Sequence, residues 1–183
     1  MAYPYRHAPG TEVSGAVMSA IFNHYQRDDV IESLQKHGLD YFEADQWYPV
    51  DQFINLLAEW SESPAFSTNL VSIGMAMTYH IELPDEIEAL SGLEKLMLLG
   101  DMHMGQHRSG DAGCYRVERI GESAIRYTEN TVWPDDMIYG YIYGAARRYL
   151  DRGVHFSVRY VKDAERQDTG GGSTTFDLIW ELQ

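Results

Sequence analysis

Apolar residues recur every three or four positions through the first hundred residues of this chain, and every second position after about residue 113. The first spacing is that of a helix face; the second is that of a strand with one side buried. Val13, Val17 and Ile21, with Met18 and Phe22 beside them, predict a helix that follows a loose arm over residues 1–12. Asp28-Asp29 suit a helix N-terminus and Gly38 a C-terminal stop, so a second helix lies between them with Val30, Ile31 and Leu34 facing inward. The segment 45–49 reads as a loop. Asp51 then starts a helix carrying Phe53, Ile54, Leu56, Leu57 and Trp60, which Ser63-Pro64 ends. Leu70, Val71, Ile73, Gly74 and Met77 mark a buried helix that finishes near Tyr79-His80. Pro84 stands at a favourable first-turn position, followed by Asp85, Glu86 and Glu88. The helix it opens carries Ile87, Leu90, Leu93 and Met97 and extends towards His103.

Beyond Gly113, Tyr115 and Val117 alternate with Arg116 and Glu118 as a strand. A turn at 120–123 leads to a second strand with Ile125 and Tyr127 inward. Trp133-Pro134-Asp135-Asp136 opens a helix that runs to Gly153. On it Met137, Tyr141, Ala145 and Tyr149 share a face, and Gly140 and Gly144 permit close approach to a neighbour. Val154, Phe156, Val158 and Tyr160 form a third strand. After the 168–173 loop, Phe176, Leu178, Trp180 and Leu182 form a fourth. The expected fold is α+β: a helical lobe over 13–112, then a β-β-α-β-β lobe over 113–183 whose short connections imply an antiparallel sheet. Residues 13–183 make one domain, with a pocket expected at the seam between helical lobe and sheet.

Composition narrows the function classes. The formal net charge is −14, and most of it lies in the first hundred residues, which hold 4 basic and 15 acidic side chains. Such a surface repels phosphate backbones and excludes direct nucleic-acid binding. No apolar run approaches the ~20 residues of a membrane span. Met1 to His7 has no apolar signal-peptide stretch, and Cys114 is the single cysteine, which together suggest a cytoplasmic protein.

Candidate chemistry concentrates between Gly100 and Cys114. His103 and His107 stand four apart, the spacing that puts two imidazoles on one helix face and that metal pairs use. Asp101 or Asp111 can add a carboxylate, and His80 a third imidazole. The alternative is a pair of partly exposed histidines at a helix end. Met102 and Met104 suit a soft, adaptable pocket wall or plain core filling. Cys114, near His107 and Arg108, is a candidate redox thiol or a buried residue at a strand start. Tyr127 and Tyr141 can offer hydroxyls to a ligand, while Tyr139 and Tyr143 suit a homodimer surface. Arg147, Arg148 and Arg152 read as a helix-end cap or an anion site. No nucleophile elbow, phosphate-cradling glycine loop or CxxC pair is present. Acid pairs such as Asp28-Asp29 and Asp135-Asp136 fall at helix starts, where capping explains them.

The element order resembles the haem nitric-oxide/oxygen-binding (H-NOX) domains and, in its C-terminal half, the smaller 4-vinyl-reductase-like ligand-binding domains. The resemblance rests on Gly38-Leu39-Asp40 with Tyr48-Pro49, on Leu83-Pro84 opening a helix, and on Tyr115-Arg116-Val117-Glu118. Ile125-Arg126-Tyr127-Thr128-Glu129 and the closing Phe176-Asp177-Leu178-Ile179-Trp180 complete it. It implies a sensory domain and a haem or other tetrapyrrole cofactor held by a proximal histidine. Counting along the helix opened by Leu83-Pro84 reaches Leu93-Glu94, not a histidine. The family's Tyr-x-Ser-x-Arg propionate clamp falls on Tyr127-Thr128-Glu129-Asn130-Thr131, which keeps only the tyrosine. The metal-ligand cysteines of some 4-vinyl-reductase-like domains have no counterpart between Val161 and Phe176.

Together these readings lead to a sensory or carrier domain. It binds a small, largely apolar or tetrapyrrole ligand through His103, His107, Met102, Met104, Tyr127 and Tyr141, and signals to a protein partner. Two alternatives stay open: a haem- or metal-binding protein using His103 and His107, and a small-molecule enzyme with His103 as acid–base supported by Tyr127 or Tyr141.

Overall fold

The computed structural model describes residues 9–23, 27–39, 41–62, 70–80 and 83–181. Its helical part contains α1 (Gly15–Asn23), α2 (Arg27–Lys36), α3 (Val50–Glu62), α4 (Leu70–His80), α5 (Asp85–Glu88), α6 (Gly92–Met97) and α7 (Leu99–Met104). Three short strands run among these helices: β1 (Glu12–Ser14), β2 (Trp47–Pro49) and β3 (His107–Arg108). The second half is β4 (Tyr115–Gly121), β5 (Ala124–Glu129), α8 (Asp135–Tyr149), β6 (Phe156–Tyr160) and β7 (Thr174–Trp180), with one 3-10 turn at Gln167–Thr169. The fold is therefore α+β, and the β-β-α-β-β order stands. None of the described helices is long and apolar enough to cross a membrane.

The strand period builds one face of an antiparallel sheet, in the order β4-β5-β7-β6. Tyr127 lies opposite both Val117 and Phe176. Ile125, Tyr127, Phe176 and Leu178 are buried in one core with Met137, Ile138, Ile142 and Ala145 of α8, which packs on β6 and β7. On the other face Arg126 grips Asp177 with two hydrogen bonds of 2.7 and 2.8 Å. That pair is half-exposed, so it sets register more than stability.

The two halves are joined by α4 and α8, which lie in direct backbone contact. A Cβ at Gly74 would fall 1.9 Å from the Met137 carbonyl oxygen, and one at Gly140 would fall 2.0 Å from that of Val71. Gly140 and Gly144 thus provide the close approach expected of them, and Gly74 answers from the facing helix.

Several boundaries differ from the sequence expectation. Val13 sits in β1, not at the start of a helix, and pairs with Tyr48 and His107. The 45–49 loop supplies β2. Thr11 is buried and Glu12 begins β1, so this part of the segment read as a loose arm is built into the fold; residues 1–8 lie outside the described residues. The expected helix from Pro84 to His103 is three helices. Ser91 caps α6: its hydroxyl accepts from the Glu94 backbone N–H while the Glu94 carboxylate accepts from that of Ser91 at 2.8 Å. A cap at that point forbids a helix running through it. The last long helix stops at Tyr149, where Leu150 turns extended, short of Gly153. Leu182, the end of the expected fourth strand face, lies outside the described residues.

At the junction of β5 and α8 two carboxyls are buried. Glu129 accepts from the Thr131 backbone N–H at 2.7 Å and from Gln167 Nε2 at 3.1 Å. Asp135 accepts from the Thr174 hydroxyl at 2.8 Å. Burial pushes Glu129 from 4.5 up to about 7, against the hydrogen bonds from Thr131 that favour its charge. The folded chain therefore holds this proton until about pH 7, whereas the unfolded chain releases it near 4.5. The stability linked to it is complete below pH 4.5 and lost as the pH rises to 7. Glu129→Gln should accordingly gain about 2 kcal/mol relative to the natural chain between pH 5 and pH 8, as measured by urea unfolding. Parallel pH curves for the two proteins would contradict the assignment.

Candidate functional site

The chain from Leu98 to His107 forms one wall of the site. α7 carries His103 inward, a turn at Gly105-Gln106 follows, and β3 places His107 opposite Val13. The four-residue spacing thus spans a helix end and a strand, and it stacks the two imidazoles with centroids 4.9 Å apart and planes within 12°.

Trp133 fixes His107. The indole N–H donates to His107 Nε2 at 2.9 Å, and His107 Nδ1 lies 3.0 Å from the His103 carbonyl oxygen. An indole nitrogen can only donate and a carbonyl oxygen can only accept, so the proton of His107 sits on Nδ1. Both ring nitrogens are engaged. Burial pushes this histidine from 6.5 down to about 4, partly offset by the bond to His103, so it is neutral at pH 7.

His103 is different. It is 3% exposed, with Nδ1 3.0 Å from the Tyr115 phenol oxygen. Nε2 is buried and has no hydrogen-bond partner among the described residues. Burial first, and His107 second, hold its pKa well below the usual histidine range. Tyr141 meets the ring edge-on at 5.5 Å and Tyr115 tilts over it at 5.0 Å. Tyr115 is itself pushed up, first by burial and then by the charge of Glu129, against a hydrogen bond from Thr131 that pulls it down. An unmatched buried nitrogen costs about 1–3 kcal/mol, which a bound group can recover.

His103 lines a cavity of about 340 Å³. That is near the small end of the roughly 300–1,000 Å³ typical of ligand sites. Val17 of α1, Met77 and Thr78 of α4, Leu99 and Met102 of α7 and Tyr141 of α8 contribute to its walls. The lining is largely apolar, and among the described residues it includes no Lys or Arg and one carboxylate, Asp101. The pocket lies between the helical lobe and α8. No residue of the four-stranded sheet is in its walls, although Tyr115 of β4 packs behind His103, and this corrects the expected seam with the sheet itself.

Of the residues singled out in the sequence, His103, His107, Met102 and Tyr141 meet at this cavity, whereas Met104 and Tyr127 are not in its walls. Tyr127 is wholly buried and donates to the Leu96 carbonyl at 2.9 Å. The Tyr141 hydroxyl donates to the Leu99 carbonyl at 3.3 Å. With both His107 nitrogens engaged, the two histidines do not present a pair of free nitrogens to a metal. No group of three or more His, Cys, Asp or Glu among the described residues is arranged to hold one. The His80 side chain lies outside the described residues. Cys114 is exposed, with Sγ 3.3 Å from Asn130 Oδ1, and not buried in a strand. Tyr139 stacks on Tyr143 and Tyr160, so both tyrosines of the expected dimer surface pack within the chain.

No family model matches the chain, and no curated protein matches it in sequence. In three dimensions it is similar to solved H-NOX domains. A single-residue variant of Tt H-NOX matches with TM-score 0.68 at 16% identity, over 92% of this chain and 93% of that one. An oxygen-binding H-NOX domain related to soluble guanylate cyclases, solved as its oxygen complex, gives 0.67 at 15% identity, over 92% and 93%. A further mutant of T. tengcongensis H-NOX gives 0.65 at 16%, over 92% and 95%. The chain has the H-NOX fold, as the order of its elements led us to expect.

Proposed function

We propose that this chain is a sensory or carrier domain that takes a small, largely apolar ligand into the α1/α4/α7/α8 cavity, and that the ligand is not haem. The observation that carries the reading is the cavity itself: apolar walls with one buried imidazole nitrogen left unmatched. Apolar pockets with few placed polar groups are the usual form of small-molecule sites.

The residues present do not fit haem held in the manner of the family. Glu94, where the proximal histidine was counted, is exposed and caps Ser91. In the clamp segment, Glu129 is a buried carboxyl bound to Thr131 and Gln167, Asn130 accepts from the Cys114 backbone N–H, and Thr128 pairs with Thr175. Carboxylate-bearing haem would also meet a lining that, among the described residues, has no cation and already holds Asp101. Buried, unpaired charge of that kind is strongly disfavoured.

Signalling follows from where the cavity lies. Its walls belong to both α4 and α8, which touch backbone to backbone, so a ligand that prefers one spacing of these helices shifts their populations. The receiving protein partner is part of this proposal.

The test is to titrate the purified protein with methylenecyclohexane and, separately, with hemin. Saturable binding of the small apolar probe is expected, with no stoichiometric Soret band from hemin. A one-to-one Soret band that disappears in His103→Ala would overturn the proposal in favour of haem.

A further inference from the structure

What the ligand must carry depends on the ligand-binding reading above. We infer that the cavity selects a neutral apolar molecule bearing a carbonyl-type oxygen, which accepts a hydrogen bond from Nε2–H of His103, with Tyr115 as a positioning residue that keeps the proton on that nitrogen.

The direction of the hydrogen bonds leads there. The Tyr115 phenol oxygen lies 3.0 Å from His103 Nδ1. A buried phenol proton needs an acceptor, and this ring nitrogen is within hydrogen-bond distance, so the phenol is assigned as the donor. A neutral imidazole that accepts at Nδ1 must carry its one proton at Nε2. Nε2 is the buried atom without a partner, on a residue that lines the cavity.

Of the neighbouring polar groups, the Gln106 amide and the Tyr149 phenol are only partly buried, and the buried ones are engaged elsewhere. His107 has both nitrogens engaged and stacks on His103, holding the ring in place. The Tyr141 hydroxyl donates to the Leu99 carbonyl and that of Thr78 to the Met75 carbonyl. The ligand's charge is limited as well. A neutral donor in a lining that, among the described residues, holds Asp101 and no cation suits a ketone, ester or amide oxygen, and not a carboxylate. A site built around a hydrogen-bond donor discriminates strongly against the analogue that leaves the donor unmatched.

Two probes of one shape separate the possibilities: cyclohexanone, and methylenecyclohexane, which lacks the oxygen. Titrations with the natural chain and with His103→Leu should show cyclohexanone weakened about tenfold by the substitution. Methylenecyclohexane should stay within about twofold. Tyr115→Phe provides a second, independent variant, in which the cyclohexanone advantage shrinks although His103 remains. Nitrogen-15 NMR of the free protein should show His103 protonated at Nε2 in the natural chain and a mixture of tautomers in Tyr115→Phe. His103 found protonated at Nδ1, or both probes weakened equally by His103→Leu, would overturn this inference while leaving the cavity reading intact. Failure of both probes to bind the natural chain would overturn both.

Discussion

Gly74→Ala is expected to cost about 3 kcal/mol or more, and to lower the melting temperature by roughly 10 °C. Alanine is the better helix former, so on an isolated helix the change would gain about 1 kcal/mol. Here the added methyl carbon would stand 1.9 Å from the Met137 carbonyl oxygen and 2.7 Å from the Tyr141 backbone nitrogen. Both are backbone atoms of α8, so no side chain can swing aside. The helices must separate, and the core around them, which includes Ile73, Met77, Met137 and Ile142, loosens with them. Steric exclusion therefore outweighs propensity. The same substitution at Gly172, which has nothing within 4 Å, should change stability by no more than about 0.5 kcal/mol. Equal melting temperatures for the two variants would contradict this packing.

Trp133→Ala should be at least as damaging, at about 3–5 kcal/mol. Trp133 is among the largest wholly buried side chains, and it is also the donor that holds His107. The milder Trp133→Phe separates these roles. It keeps most of the apolar volume but leaves His107 Nε2 unmatched, at an expected cost of about 1–3 kcal/mol. His107 should then titrate above its present value of about 4, because Nε2 is no longer occupied by the indole N–H. A proton NMR titration that finds His107 unmoved in Trp133→Phe would show that the indole does not set its state.

The long elements could be read from the sequence because each repeats its period several times. β4 and β5 alternate over seven and six residues, and α8 opens on Pro134 followed by two acids. β1, β2 and β3 could not be read in this way, since two or three residues contain no period, and their pairing joins positions as distant as Glu12 and Arg108. The break at Ser91 was legible in principle. Serine followed three residues later by glutamate is a capping signature, but the apolar spacing across it continues and masks it.

The site was legible in the same partial way. The spacing of His103 and His107 marked the right segment, yet spacing alone gave the two histidines the same role. What separates them is contributed from elsewhere in the chain: Trp133 satisfies one, while Tyr115 satisfies only half of the other. Tyr127 and Met104 had suitable chemistry but no place in the cavity walls. The 100–114 segment thus supplies one wall and one unmatched nitrogen, and α1, α4 and α8 supply the rest.

The claim that a small apolar ligand occupies this cavity is tested most directly by carbon-13 NMR of the methionine methyl groups during titration with methylenecyclohexane. Met77 and Met102 line the cavity, and Met104, next but one to Met102, does not. Saturating shifts at Met77 and Met102, with Met104 unmoved, are the predicted result. A spectrum in which Met77 and Met102 stay in place up to the solubility limit of the probe would contradict it.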